Sequence, residues 1–225
     1  LKRFSICYSE LVKNACIEHT ANKKEKVKNL LNFFGVSSLD LIPNVQTAVF
    51  RQSKHKNINK ESLAGWLRCG EIKAQKIETS NFNKELLQEK IPQLKSLTRE
   101  ENPEKLQKEL ENICSSFGVA LILVPYFKNT HVNGAAWWLN QNKPIIQLSL
   151  KGHYIDSFWF TFFHEIGHLL KHGKKKQYID YKREEKENEN LKIEEEADKY
   201  ANDTLISDNQ YTNFIQNKDY SRAAI

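Results

Sequence analysis

Residues 156–173 read DSFWFTFFHEIGHLLKHG, and this stretch predicts the central helix of the fold. Asp156 or Ser157 can cap the start of the helix, and Gly173 suits its end. Between them, apolar side chains recur at helical spacing and form one broad face. They are Phe158, Trp159, Phe162, Phe163, Ile166, Leu169 and Leu170. We therefore predict an amphipathic helix that packs on a hydrophobic core.

Two histidines, His164 and His168, lie four residues apart on this helix. Side chains at that spacing point the same way, so both imidazoles can reach one ion. Neutral imidazole suits zinc, and Glu165 can take a proton from a water that zinc has made acidic. The pattern predicts Zn2+ as a catalytic cofactor, although manganese or iron also accept such ligands.

A catalytic zinc site needs a third protein ligand, and a glutamate-rich helix predicted at about residues 190–206 offers three candidates. Glu194 shares a helix face with the small residues Ala197 and Ala201. Small side chains there would allow a close approach to the helix that carries His164 and His168, which we call the metal helix. Glu195 falls on a solvent face, and Glu196 is intermediate. We choose Glu194 as the ligand, with Glu196 as the alternative.

Four further side chains are candidates for supporting roles. Asp198, one turn after Glu194, can accept the outer N–H of a ligand histidine and fix its orientation. His172 continues the histidine row, but a histidine at a helix end needs no ligand to explain it. Tyr178 and Tyr181 follow in the connection and can stabilise an oxyanion, although packing or surface positions are the commoner use of tyrosine.

Three short apolar runs upstream predict strands at residues 119–124, 135–139 and 145–150. The third precedes the metal helix. If it lies at an exposed edge, its residues Ile146, Gln147 and Leu148 can pair with the backbone of a peptide substrate.

The first hundred residues predict helices, at 9–18, 24–34, 59–77 and 83–96, and another helix follows at 103–117. Residues 43–57 show less periodicity and predict an irregular connection. The fold class is therefore α+β. We divide the chain into a helical region, residues 1–100, and a metallopeptidase domain, residues 101–225.

Composition limits the alternatives. The chain has 225 residues and a net charge of +6. It contains no methionine, and we therefore interpret it as a piece of a longer protein or as a processed product. No stretch is apolar enough to span a membrane, and lysines interleaved with glutamates favour a solvated surface over a nucleic-acid site. The four cysteines form no CxxC pair, which favours reduced thiols in a cytoplasmic protein.

The metal-helix stretch resembles the ImmA/IrrE family of zinc metallopeptidases. The resemblance rests on residues 158–173 and on the pattern Glu194-x-x-Ala197-Asp198-x-Tyr200-Ala201, which also favours Glu194 as ligand. Residues 134–139 and 144–150 add to it. Residues 33–36 and 64–68 are similar to the longer subgroup in which an antitoxin-type helix-turn-helix domain precedes the peptidase.

The resemblance implies a zincin-like domain, with a sheet of three or more strands packed on the His-Glu-x-x-His helix. It implies hydrolysis of a specific protein partner, such as a transcriptional repressor or an antitoxin-type regulator. DNA contact would then need a domain absent from this sequence. An alternative from another class is a regulatory sensor that uses the same cleft with little turnover. Retention of Glu165, which only catalysis requires, favours the peptidase.

Overall fold

The computed structural model describes residues 1–44, 49–52, 58–150, 155–172 and 185–218. Within these ranges the fold is α+β, as predicted, with eight α-helices and one four-stranded sheet. The helices are α1 (Ser5–Lys13), α2 (Lys23–Phe34), α3 (Lys60–Gln75), α4 (Lys84–Ser96), α5 (Pro103–Ser116), α6 (Ile155–Lys171), α7 (Glu185–Leu205) and α8 (Asp208–Asn217). The strands are β1 (Val49–Gln52), β2 (Ala120–Pro125), β3 (Val132–Asn140) and β4 (Lys143–Leu150).

The sheet has the strand order β1-β3-β4-β2. β3 and β4 form an antiparallel hairpin, β1 pairs antiparallel with β3, and β2 runs parallel to β4. The interior position of β4 corrects one prediction: Ile146, Gln147 and Leu148 do not lie at a sheet edge. Both sides of this strand are already paired, so it has no free backbone groups for a peptide substrate.

The alternation of side chains along the strands produces a hydrophobic core on each side of the sheet. Ala120 and Ile122 of β2 point into a core shared with α1, α2 and α3, which we call the α3 face. Leu121 of β2 and Ile146 of β4 point into a core shared with α4, α5 and α6, which we call the α6 face. The sheet is therefore covered by helices on both sides.

Four of the helices have an asparagine at the N-cap position. Each asparagine side chain accepts a hydrogen bond from a backbone N–H in the first turn, a group that has no partner within the helix. These caps are Asn22 for α2, Asn59 for α3, Asn83 for α4 and Asn102 for α5. Gly35 follows α2 with φ +67°, a left-handed conformation that glycine adopts at little cost. The predicted bounds of α2 to α5 therefore agree closely with the structure.

Two N-terminal predictions were wrong. The first helix spans Ser5–Lys13 and does not continue to residue 18, because Ala15 takes a left-handed φ of +53°. Residues 43–57 are not wholly irregular, since Val49–Gln52 form β1. Four residues are too few to show a strand period in the sequence, and pairing with β3 is what defines this strand.

The two sheet faces draw on both halves of the chain. Phe4 and Trp66 belong to the same core as Ile122 and Ile145. The division between residues 1–100 and 101–225 stays a prediction. The structure establishes that α1, α2 and α3 cover one face of the sheet and that α4, α5 and α6 cover the other.

Candidate metal centre

The helix α6 carries the two histidines and Glu165 on its buried side. Its aromatic residues pack on the sheet and remove the central turns from solvent. His164 and Glu165 are fully buried, and His168 is 4% exposed. Buried imidazoles and carboxylates are costly unless they are paired or bind an ion, so this arrangement indicates a functional site.

α7 lies directly against α6 because small residues meet at the contact. A Cβ atom added to Gly167 would lie 3.3 Å from Cα of Ala197. Ala197 and Ala201 are themselves fully buried. This agrees with the expectation that small residues allow a close approach, and it places Glu194, one turn before Ala197, beside the histidines.

Three donor side chains converge between α6 and α7. Nε2 of His164 lies 3.0 Å from Nε2 of His168. The two carboxylate oxygens of Glu194 lie 3.2 Å and 3.5 Å from these nitrogens. Donor atoms at zinc bond lengths of about 2.0–2.1 Å in a tetrahedron are roughly 3.3 Å apart. The group could therefore hold a metal ion.

The neighbouring glutamates of α7 do not join this group. Among the described residues, the set able to hold a metal consists of His164, His168 and Glu194. Glu195 is exposed. Oε2 of Glu196 lies 3.9 Å from Nε2 of His172, which is one turn beyond the ligand pair. The geometry agrees with the choice of Glu194 over Glu196.

Asp198 contacts the outer nitrogen of one candidate ligand. Its Oδ1 lies 2.9 Å from Nδ1 of His164. A carboxylate at this position accepts the Nδ1–H and thereby leaves the Nε2 lone pair directed at the donor group. Asp198 thus occupies the position that the sequence predicted, with its side chain 45% exposed at the edge of the site.

His168 is electrostatically suited to bind a cation in its neutral form. Burial, together with the nearby His164 and His172, lowers the pKa of His168 to about 3. The imidazole is therefore neutral at physiological pH, and a metal ligand must be neutral because protonation occupies the lone pair.

Glu165 has its carboxylate directed at β3. A Cβ atom added to Gly134 would lie 2.7 Å from Oε1 of Glu165 and 2.6 Å from Cγ2 of Thr161. A real Cβ does not tolerate such distances. Glycine in the middle of β3 therefore leaves the space that the carboxylate occupies.

A cavity of about 670 Å³ opens between the first half of α6, β3, the end of α7 and the start of α8. Its wall includes Asn133 of β3, Thr161 of α6 and Asn202 of α7. Phe160 also lines it, and the ring of Phe160 lies 6.3 Å from the ring of His164. Tyr211, in the first turn of α8, lines it as well. His164, His168, Glu194 and Glu165 do not line the cavity, which approaches them only through Phe160 and Thr161.

The other predicted site residues are not all part of this group. His172 directly follows α6, with its ring 5.6 Å from the ring of His168. Tyr178 and Tyr181 lie outside the described residues. Gln147, predicted to contact substrate, is fully buried on the α3 face and donates to the backbone oxygen of Trp66.

Sequence reasoning missed two residues that shape the site. Gly134 had a usable signal, because glycine inside a strand marks a close approach by another group. Phe160 had none, since on a helix rich in aromatic residues it cannot be told apart from core residues without coordinates.

The chain matches no family model, no curated protein and no solved structure. Functional assignment therefore depends on the geometry of the site. Across the described residues, no helix has both the length and the apolar character required to cross a bilayer.

Proposed function

We propose that this chain is a zinc-dependent endopeptidase that cleaves a specific protein partner. The observation that carries the proposal is the convergence of His164, His168 and Glu194 beside the buried carboxylate of Glu165. Two imidazoles and one carboxylate are a ligand set used by zinc in hydrolases, with one position left for exchange.

Each residue has a defined task in this proposal. The two histidines and Glu194 would hold the ion, and Asp198 would keep the His164 ring in the required tautomer through the 2.9 Å contact. A bound zinc ion supplies a Lewis acid that polarises the scissile carbonyl and lowers the pKa of water.

Glu165 is the proposed general base. Its carboxylate would accept a proton at one oxygen from the attacking water and deliver it to the leaving amine. Gly134 has no Cβ and therefore leaves space for Oε1 of Glu165 against β3. The side chain is fully buried, so the surrounding protein limits the positions that its carboxylate can take.

The cavity lined by Phe160 and Thr161 is the proposed substrate cleft. It combines the apolar Phe160, Leu205 and Tyr211 with two carboxylates, Asp156 and Asp208. Such a wall favours an apolar side chain with a basic residue nearby. The resemblance to ImmA/IrrE peptidases supports a zincin-like arrangement of this domain and a repressor or antitoxin-type regulator as the partner.

The experiment compares wild type with Glu165→Gln in cells that express either protein, with new protein N termini mapped by mass spectrometry. We expect wild type to generate new N termini in one or a few proteins and Glu165→Gln to reduce them by about 10²-fold or more. Glu195→Gln makes the same chemical change on the exposed side of α7 and should behave as wild type.

Metal content of the purified proteins completes the test. Glu165→Gln should retain zinc, because Glu165 is not in the donor group. If wild type binds zinc yet yields no new N termini, or if Glu165→Gln cleaves as well as wild type, the peptidase proposal fails. The first outcome would favour a regulatory metal sensor that uses the same cleft.

A further inference from the structure

Two cysteines far apart in sequence meet on the α3 face of the sheet. Sγ of Cys16, in the turn after α1, lies 2.6 Å from Sγ of Cys69 in α3. This is closer than two sulfur atoms in ordinary packing contact. We propose that Cys16 and Cys69 are a redox-active pair that reversibly forms a disulfide with a low-molecular-weight disulfide as oxidant. The proposal does not depend on peptidase activity.

The surroundings distinguish an entry thiol from a resolving thiol. Cys16 is partly exposed and lines a cavity of about 400 Å³, together with Asn32, Phe33 and Arg68. Cys69 is 2% exposed and lies behind it. A small disulfide can therefore reach Cys16 from the cavity but cannot reach Cys69 directly.

The two thiols also differ in acidity. A hydrogen bond from Cys69 lowers the pKa of Cys16, and the ammonium of Lys73 lowers it further, against the opposing effect of burial. The same hydrogen bond, together with burial, raises the pKa of Cys69. Since the thiolate is the nucleophile, Cys16 reacts first.

The remaining two cysteines provide internal controls. Burial raises the pKa of Cys7 to about 12. Cys114 is fully buried on the α6 face, and burial raises its pKa as well. Neither has both the exposure and the thiolate character that attack on a disulfide requires.

The exchange balances in two steps. The Cys16 thiolate attacks one sulfur of the small disulfide, forms a mixed disulfide and expels the other sulfur as a thiolate. Cys69 then loses its proton and attacks the Cys16 sulfur, which forms the intramolecular bond and expels the second thiolate. The two protons from the cysteines end on the two released thiols. Both cysteines are oxidised, and the small disulfide is reduced.

The new bond would tie the turn after α1 to the middle of α3. α3 packs on the sheet through Trp66, whose backbone oxygen accepts from Gln147 of β4. Oxidation would therefore fix the N-terminal helix to the element that covers the α3 face, and should raise the melting temperature.

The test treats the purified full chain with oxidised glutathione, quenches with acid, alkylates free thiols after unfolding and digests with trypsin without reduction. Trypsin places the four cysteines on separate peptides, 4–13, 14–23, 69–73 and 109–128. We expect a disulfide between peptides 14–23 and 69–73, reversed by dithiothreitol. Peptides 4–13 and 109–128 should be alkylated, with oxidation slower by about tenfold or more.

Two variants separate the steps. Cys69→Ala should accumulate glutathione on Cys16 and show no rise in melting temperature, whereas Cys16→Ala should leave Cys69 unmodified. The proposal is overturned if wild type keeps glutathione on Cys16 while Cys69 stays alkylated. It is equally overturned if Cys16 pairs with Cys7. Because the peptide map of wild type decides the matter, the result stands even if a variant fails to fold.

Discussion

The helices α3 and α6 lie on opposite faces of the same sheet, but they bury different chemistry. α3 buries apolar residues such as Trp66 and Leu67, with one thiol, Cys69. α6 buries two imidazoles and the carboxylate of Glu165 among its aromatic residues. Arg68 and Glu71 of α3 form a 2.8 Å ion pair at the partly exposed surface.

Apart from the Cys16–Cys69 pair, this contrast separates residues that support the fold from residues suited to chemistry. An apolar helix face stabilises a domain by burial alone, as the α3 face shows. Buried ionisable groups oppose that stabilisation unless something compensates them. The donor group between α6 and α7 supplies a physical reason for their presence. Substitutions should therefore change stability on the α3 face and metal binding or turnover on the α6 face.

The largest expected effect is on metal affinity. Glu194→Gln removes one of the three donors, so zinc affinity should fall by more than the roughly 10–100-fold typical of losing an outer partner. Competition with a chromogenic chelator measures this. Glu195→Gln, one residue along α7, should bind zinc as wild type does. Equal losses in the two variants would show that Glu194 is not a ligand.

Asp198→Asn should have a smaller effect on the same property. The amide can no longer accept the His164 Nδ1–H with a charged oxygen, so zinc affinity should fall by about 10–100-fold. Asp203→Asn, on the exposed side of the same helix, is the matched control. Unchanged zinc affinity in Asp198→Asn would show that the 2.9 Å contact between Asp198 and His164 does not support metal binding.

Two glycine-to-alanine substitutions compare the faces directly. A Cβ at Gly70 would lie 1.7 Å from Oε1 of the buried Gln147, so Gly70→Ala should lower the free energy of unfolding by about 1–3 kcal/mol. A Cβ at Gly134 would meet the Glu165 carboxylate. If Glu165 is the general base, as proposed, Gly134→Ala should reduce turnover by about 10²-fold, because it displaces this carboxylate. Urea denaturation and hydrolysis assays on both variants measure the two effects.

The pattern across the two variants decides the comparison. Gly134→Ala should retain zinc, and Gly70→Ala should retain turnover per folded molecule. Adding Gln147→Ala to Gly70→Ala should cost less than the sum of the single changes, because the clash is then gone. If Gly134→Ala affects only stability, the site-specific role of the α6 face is contradicted.

The smallest expected effect appears at alkaline pH and should be alike on both faces. Burial raises the pKa of Cys7 to about 12 and also raises that of Cys114. An unfolded thiol ionises near pH 8.5, so above that pH unfolding releases protons and stability falls as pH rises. Cys7→Ser and Cys114→Ser should each flatten the fall by up to about 1.4 kcal/mol per pH unit. Urea unfolding at pH 8 and pH 10 measures it. A steeper fall in either variant would contradict the assignment.

Much of the fold followed from the sequence because its signals are local. Asn22, Asn59, Asn83 and Asn102 cap helices whose first turns they determine. Strand order has no such local signal. β4 lies inside the sheet only because β2, which precedes the β3–β4 hairpin in the chain, pairs with its outer side. That is why the sequence left open an edge position for Ile146 to Leu148, which the structure excludes.

The donor group was predictable because helix periodicity fixes which side chains share a face. His164 and His168 follow from that rule, and Ala197 helped to select Glu194 among three neighbours. The cavity was not predictable, since Asn133, Phe160 and Tyr211 meet there only after three separate elements have packed. Tyr178 and Tyr181 remain sequence predictions.

The order of the strands has a consequence for how the protein is made. During translation, α1, α2 and α3 emerge from the ribosome well before Ile145. This residue is the last one in the chain to join the buried core that they share with the sheet. β1 likewise emerges before β3, its pairing partner. The apolar faces of α1, α2 and α3 are therefore exposed to solvent during synthesis, and exposed apolar surfaces are prone to aggregate. Nascent chains that end before β4 should therefore depend on chaperones more than chains that extend beyond it.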